Sequence, residues 1–259
     1  MKKNKVSVIM NCHNGEKYLR RAIKSIFDQT YSNLEIIFFD NCSNDSSAKI
    51  VKSYDDKRIK YFYSKKKLKL YEARNQAVKK AKGSYLSFLD VDDIWSKEKI
   101  KLQLNKLNKN KSNFIFTNYF IQNDIKKKKF MRSKNKLPEG KVTQRILDNY
   151  TVGINTVLMK RDIFKKFKFK NKYDIIGDFD LFIRLSLKYK FSSIQKPLVT
   201  YNIHGDNLSI KKIKIYKKEL QDWIKFNEKK LLKNYNLKKI KLFLLKLRIK
   251  QFLSNFYNF

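Results

Sequence analysis

Three carboxylates fall within four residues in the run Phe88-Leu89-Asp90-Val91-Asp92-Asp93. The run closes a strand-like apolar segment over 84–89, so the acids gather where a strand would end. Carboxylates this close repel one another unless a cation sits among them. A hard divalent ion that also holds substrate phosphates is the usual answer. The clustering stands out in a chain with 23 acidic residues against 61 basic ones. The plain alternative is a solvated Asp-rich turn. Further polar stretches that could carry chemistry are Asn11-Cys12-His13-Asn14-Gly15, Asp40-Asn41-Cys42-Ser43-Asn44-Asp45, Gly177-Asp178-Phe179-Asp180 and Asn202-Ile203-His204-Gly205-Asp206-Asn207.

These stretches need elements to position them. Apolar runs over 6–10, 34–39, 59–63 and 84–89 read as strands. Between them, Tyr18, Leu19, Ala22, Ile23, Ile26 and Phe27 recur at helical spacing, and 46–54 and 71–81 read as further helices, the last closed by Gly83. Strands alternating with helices imply βαβ units and a mostly parallel sheet buried on both faces. In such sheets ligands collect beyond the carboxyl ends of the strands. The loops at 11–15, 40–45 and 90–93 all lie at that edge and should converge on one crevice. The second half is less regular. It reads as a helix over 95–107, a strand over 113–121, a very basic connection over 124–138, a helix over 142–149, a strand over 156–159, a helix carrying Leu181, Phe182, Leu185 and Leu187, and a strand over 194–201.

Composition limits the function classes. At 259 residues, with 42% hydrophobic and 14% aromatic content, the chain can bury a proper core despite its 32% charged residues. The formal charge of +38 favours anionic partners, although Lys and Asn are abundant throughout and part of the excess reads as compositional drift. The two cysteines, Cys12 and Cys42, make neither a disulfide framework nor a zinc site. The apolar run 6–10 is too short for a signal segment and reads as the first strand. No segment approaches the roughly 18 to 20 apolar residues that span a bilayer. Beyond about 210 the chain turns strongly basic, with Glu219, Asp222 and Glu228 its only acids, and apolar residues at helical intervals suggest amphipathic helices.

The ordered motifs resemble the inverting, nucleotide-sugar-dependent glycosyltransferases of family 2, which have the GT-A fold. The likeness runs from Val6 to about Ser209. It rests on the 6–19 strand and loop, on Ser25-Ile26-Phe27-Asp28-Gln29-Thr30-Tyr31 leading into Glu35-Ile36-Ile37, and on Asp40 to Asp45 where the family writes Asp-Asp-Gly-Ser-Thr-Asp. Ala73-Arg74-Asn75, the 88–93 run, Gly177 to Leu181 and Tyr201-Asn202-Ile203-His204-Gly205 complete the set. The resemblance implies an α/β GT-A domain over 1–210, with a nucleotide half (1–110) and an acceptor half (111–210). A basic helical extension over 211–259 would follow.

The resemblance also implies roles. Asn11, Cys12, His13, Asn14, Asp40, Arg74 and Asp90 would bind the nucleotide, with Asp40 accepting hydrogen bonds from base or ribose. Asp92 and His204 would hold Mn2+ or Mg2+ on the diphosphate, and Asp178 would be the general base, its alternative role being a helix N-cap. Three departures stand out: Asn41 and Cys42 replace the usual Asp and Gly, Gly177 replaces an acidic residue, and 65–69 is lysine-rich where the family has Asn-x-Gly. The implied activity is a metal-dependent inverting glycosyltransferase. Its donor is a UDP-sugar and its acceptor a surface glycan or lipid-linked precursor. The expected setting is the cytoplasm, with the basic tail either peripheral on the inner face of an anionic membrane or packed on the catalytic domain or a second subunit, and with a homo-oligomer left open. A nucleic-acid-binding protein would need a basic module with interleaved aromatics, and none is visible, so no nucleic-acid partner is expected. A sugar-phosphate nucleotidyltransferase would open on a Gly-rich phosphate loop, which 11–15 is not.

Overall fold

The computed structural model of the protein describes residues 4–205, 207 and 212–256, with side chains of the last helix described to 249. The boundary expected at 210/211 lies outside the described residues. The apolar runs of the first ninety residues form β1 (Val6–Cys12), β2 (Leu34–Asp40), β3 (Ile59–Tyr63) and β4 (Tyr85–Phe88). Helices α1 (Glu16–Phe27), α2 (Ser47–Lys52) and α3 (Leu70–Lys80) connect them. The strands pair in parallel in the order β3-β2-β1-β4. Cys12 stands opposite Asp40 and Ile9 opposite Phe88, so the polar loops leave the sheet along one edge.

Antiparallel strands enter only beyond β4. The remaining elements are β5 (Ile94–Trp95), α4 (Lys99–Lys109), β6 (Phe114–Asn123), β7 (Lys128–Met131), α5 (Thr143–Asp148), a 3-10 turn (Ile154–Thr156), β8 (Leu158–Lys160), α6 (Arg161–Phe167), α7 (Gly177–Ser186), β9 (Ser192–Ile203), α8 (Ile213–Leu231) and α9 (Lys238–Phe256). β8 runs antiparallel to both β4 and β6, β9 lies parallel to β6, and β5 closes the path antiparallel to β9. The helix expected from residue 95 starts instead at Lys99. Trp95 is drawn into the core, where its indole donates to the Asn155 carbonyl oxygen at 2.9 Å, and this pulls Ile94–Trp95 into the sheet. The basic 124–138 connection contains β7, an edge strand whose lysines face water and discourage further pairing.

Side-chain alternation divides the core in two. Val8, Met10, Ile36 and Phe38 meet Leu19, Ala22, Ile23 and Ile26 of α1 and Ile100 and Leu104 of α4. Ile9, Ile37 and Phe88 face the opposite way, onto α3, α6 and α7. The C-terminal helices belong to this second core: Leu220, Trp223, Ile224, Ile240 and Leu244 are buried in it. Glu219 fixes them to the domain by accepting backbone N–H bonds from Asp174, Ile175 and Ile176, the segment that enters α7. Trp223 adds an indole bond to Asp180 at 3.1 Å.

One buried cation serves no surface. Lys99 is fully enclosed, with its ammonium against Ser87 Oγ (3.0 Å), Gln103 Oε1 (2.9 Å) and the Trp95 ring. Burial without an anionic partner holds its pKa well below the ordinary 10.5. Between the lowered value and 10.5 the unfolded chain binds a proton that the folded chain does not, so stability rises with pH across that window. Lys99→Met should therefore stabilise the fold by on the order of 1–3 kcal/mol near neutrality. The gain should shrink toward pH 10. Thermal melts at pH 6, 8 and 10 check this, and a pH-independent difference would contradict it.

Candidate active site

The loops after β1 and β2 are interlocked. Asn14, at φ +56°, and Asn44 bond each other reciprocally: the Asn14 amide donates to Asn44 Oδ1 at 2.7 Å, and the Asn44 N–H donates to Asn14 Oδ1 at 2.9 Å. The Gly15 N–H donates to Ser47 Oγ and the Glu16 N–H to Asp45. Asp40 has no exposed surface. Its carboxylate accepts from the Ser43 N–H (2.8 Å) and the Tyr61 hydroxyl (2.7 Å), which fixes the turn containing Cys42 at φ +64°. Cys42 thus adopts the left-handed conformation that glycine would take more readily. Asn41 also has a structural rationale. Its amide donates to the Leu68 carbonyl oxygen and accepts the Leu68 N–H, both at 2.9 Å, a two-way clamp that the family's usual aspartate could not make.

At the mouth of this region lies His13, whose ring contacts the Asn41 carbonyl oxygen (3.1 Å) and the Lys67 ammonium (2.7 Å). The lysine donates, so Nε2 is the acceptor and Nδ1–H donates to Asn41. Cys12 is buried behind it, and burial raises its thiol pKa to about 11, which keeps it protonated and unreactive. The Asn11 side-chain amide is buried with neither its nitrogen nor its oxygen hydrogen-bonded. Such a group calls for a ligand or water.

The acidic run leaves β4 and folds back on itself, with the Asp93 N–H donating to the Asp90 carbonyl oxygen. Each carboxylate then takes a different partner. Asp90, about a third exposed, pairs with the Arg74 guanidinium at 2.5 Å. Asp92 Oδ2 receives the His204 ring Nε2 at 3.0 Å and the Asn207 amide at 3.3 Å. Asp93 is fully buried and accepts from the Asn202 N–H (2.9 Å) and the Asn155 amide, so it braces β9 and the 3-10 turn against the loop. Burial first, and the Asp90 charge second, raise the Asp92 pKa; His204 opposes them. His204 is stacked on Tyr18 with ring centroids 4.5 Å apart, and Arg21 covers the same tyrosine ring while donating to the Asp92 carbonyl oxygen.

Asp178 sits inside the first turn of α7. Ile176 occupies the N-cap position without a side-chain capping bond, so Asp178 is not the N-cap; its Oδ1 accepts the Phe179 N–H at 2.8 Å. Desolvation raises its pKa, opposed most strongly by the Arg74 charge and then by the Phe179 N–H and the Tyr71 and Tyr150 hydroxyls. The single Tyr71 hydroxyl proton lies between the Ile175 carbonyl oxygen (2.6 Å) and Asp178 Oδ1 (3.3 Å). Gly177 is matched to that tyrosine: a Cβ here would approach the Tyr71 ring to 2.5 Å. The phenol occupies the space that an acidic side chain at 177 would need. Arg74, itself almost completely buried, joins the two halves, bonding Asp90 and placing its charge beside Tyr71 and Asp178.

The structure thus gathers Arg74, Asp90, Asp92 and His204 into one cluster, with Asp178 attached through Arg74 and Tyr71. Asn11, Cys12, His13, Asn14 and Asp40 form a second group at the same sheet edge. Tyr18, Arg21 and Tyr71 were given no site role by the sequence reading, and Asn202 and Asn207 were noted only as members of the polar stretch around His204. Tyr71 and Tyr18 carried a local signal as polar aromatics opening otherwise amphipathic helices. Among the described residues, no group of three or more His, Cys, Asp or Glu side chains is placed to hold an ion by itself. Asp92 and His204 still offer adjoining oxygen and nitrogen donors. Such a set fits an ion that takes its remaining ligands from substrate phosphates and water.

Fold and site together define a glycosyltransferase of the GT-A type. The chain belongs to glycosyl transferase family 2, which its residues 7–168 match. It is 32% identical over 78% of its length to an uncharacterized glycosyltransferase of Rickettsia bellii, of which it spans 29%. It is 29% identical to the Escherichia coli UDP-Glc:alpha-D-GlcNAc-diphosphoundecaprenol beta-1,3-glucosyltransferase WfgD, covering 83% of both chains. S. aureus TarS in complex with UDP-GlcNAc shares the fold at a TM-score of 0.68 and 19% identity, over 85% of this chain and 66% of that one.

Proposed function

We propose that the protein moves a sugar from a UDP-sugar to a hydroxyl of a lipid-linked glycan precursor, with inversion at the anomeric carbon and dependence on Mn2+ or Mg2+. The observation that carries this reading is the buried Arg74, which hydrogen-bonds Asp90 at the acidic end of the site and whose charge also acts on Asp178. UDP as nucleotide is supported by the fold shared with TarS, whose complex holds UDP-GlcNAc, and by WfgD, which is named for a UDP-Glc donor and a diphosphoundecaprenol acceptor.

In this reading the 11–14 loop, tied through Asn14 and Asn44 to the turn that Asp40 fixes, receives the base, and the unpaired Asn11 amide gains partners there. Asp40, fully buried and bonded to Ser43 and Tyr61, supports that turn and does not reach the nucleotide. Asp90 takes the ribose. Asp92 and His204 hold the divalent ion, which when bound neutralises charge on the leaving diphosphate. Arg74 keeps Asp90 oriented. Asp178 Oδ2, whose fellow oxygen is already engaged, accepts the acceptor hydroxyl's proton as that oxygen attacks from the face opposite the departing UDP. Its raised pKa makes it a stronger proton acceptor than an exposed aspartate.

No helix among the described residues is long and apolar enough to cross a membrane. Phe226, Leu232, Leu242, Leu245 and Ile249 are exposed on α8, α9 and the segment between them, interspersed with lysines. Apolar side chains among lysines suit the inner face of an anionic membrane, where each cation adds about 1 kcal/mol. A lipid-linked acceptor would be met there. The test is to supply UDP-sugars, Mn2+ and a diphosphate-linked acceptor and to read the product's anomeric configuration by NMR. An inverted product is expected; retention, or no UDP release with any UDP-sugar, would overturn the reading.

A further inference from the structure

A cavity of about 400 Å³ opens beside Asp178, within the range of small-molecule sites, about 300–1,000 Å³. Tyr119 of β6, Arg132 just after β7, Tyr150 after α5, Tyr216 of α8 and Phe243 of α9 contribute to its wall. The two C-terminal helices therefore complete a space that contains the candidate base. Two features mark it as made for a ligand. The Tyr150 hydroxyl is buried with no hydrogen bond of ordinary geometry, and Asp178 is the charged group that acts on it. The Arg132 guanidinium donates to neutral acceptors, Asn149 Oδ1 at 3.2 Å and the Tyr150 carbonyl oxygen at 2.8 Å, with the Tyr119 hydroxyl beside it, and no carboxylate among the described residues pairs with it.

The other cation on this wall behaves differently, since Lys239 pairs with Asp148 at 3.5 Å. Arg132 and Asp178 both line this cavity, so cation and base share one space. A half-buried guanidinium without an anion calls for one, and its planar fork matches two phosphate oxygens. Three phenols around it supply flat surfaces and hydroxyls suited to a sugar.

Resting on the reading above, we propose that this cavity is the acceptor site and that Arg132 binds the phosphate of a sugar presented on a diphosphate. Arg132 would then be a specificity residue, selecting anionic acceptors and setting the sugar hydroxyl toward Asp178.

The test is binding of decyl diphosphate, and of neutral decyl glucoside, with saturating UDP and Mn2+ already in the donor site. Arg132→Gln is expected to weaken decyl diphosphate at least tenfold while leaving decyl glucoside and the UDP Kd unchanged. Arg132→Lys, which keeps the charge and guards against a folding defect, should fall between the two because it lacks the fork. If both variants bind decyl diphosphate as wild type does, or lose both decyl ligands equally, the proposal is overturned. A wild type that binds UDP but not decyl diphosphate also overturns it while leaving the donor reading standing. A wild type that does not bind UDP sinks the donor reading itself.

Discussion

Replacing Asp178 with asparagine should lower the rate of sugar transfer about a thousandfold, within the span of about 10²–10⁴ attributed to a positioned general base. The exchange is nearly isosteric, and Asn Oδ1 still accepts the Phe179 N–H. UDP affinity should therefore stay within about twofold of wild type, because no part of the 11–14 loop or of the Asp92–His204 pair rests on Asp178. Folding should not suffer. The folded-state pKa of Asp178 is raised, so the folded chain holds the proton more tightly than the unfolded one, and this group's contribution falls as pH rises through that window. Removing the buried charge is then neutral or mildly stabilising at pH 7.

The same shift predicts the pH profile. Transfer should fall as pH drops through a pKa above the ordinary aspartate value of 3.8, since a protonated Asp178 accepts no further proton. Steady-state kcat against pH, with melts of the variant alongside, checks both statements. An Asp178→Asn enzyme retaining more than about a tenth of wild-type kcat would remove the residue from the chemistry.

Asp92→Ala should act through a different quantity. Its carboxylate joins His204 and Asn207 on one side and neighbours Asp90 on the other. Truncation should reduce transfer by about a hundredfold or more and abolish the increase in UDP affinity that Mn2+ brings to the wild type. In EDTA, variant and wild type should bind UDP alike. Titrations of UDP with and without Mn2+ separate this from a folding loss, in which affinity would fall under both conditions. A variant whose UDP binding still responds fully to Mn2+ would show that the ion is held elsewhere.

Much of the first half was readable because a parallel sheet buried on both faces writes its strands as unbroken apolar runs. Val6 to Met10 and Leu34 to Phe39 are of that kind, and the polar residues after them could lie only at the sheet edge. The second half resisted for a physical reason. β5 is two residues long and exists because Trp95 is pulled into the core by a partner sixty residues away. The Tyr71–Gly177 fit and the Arg74 link to Asp178 are likewise long-range, and spacing along the chain says nothing about them.

For the basic tail, composition left a membrane-facing extension and helices packed on the domain equally open. Trp223 bonds Asp180 and Glu219 receives three backbone N–H groups ahead of α7, which is packing on the domain. The clue was present as Glu219 and Trp223 in an otherwise lysine-rich stretch, an acid and an indole that a purely solvated helix has no need of.

The most direct measurement is a crystal soaked with UDP and Mn2+, read by manganese anomalous scattering. We expect one peak touching Asp92 and both phosphates of UDP, with the uracil against the 11–14 loop and Asp178 across an open gap from the distal phosphate. A manganese peak remote from Asp92, or UDP seated away from the ends of β1 and β4, would contradict it.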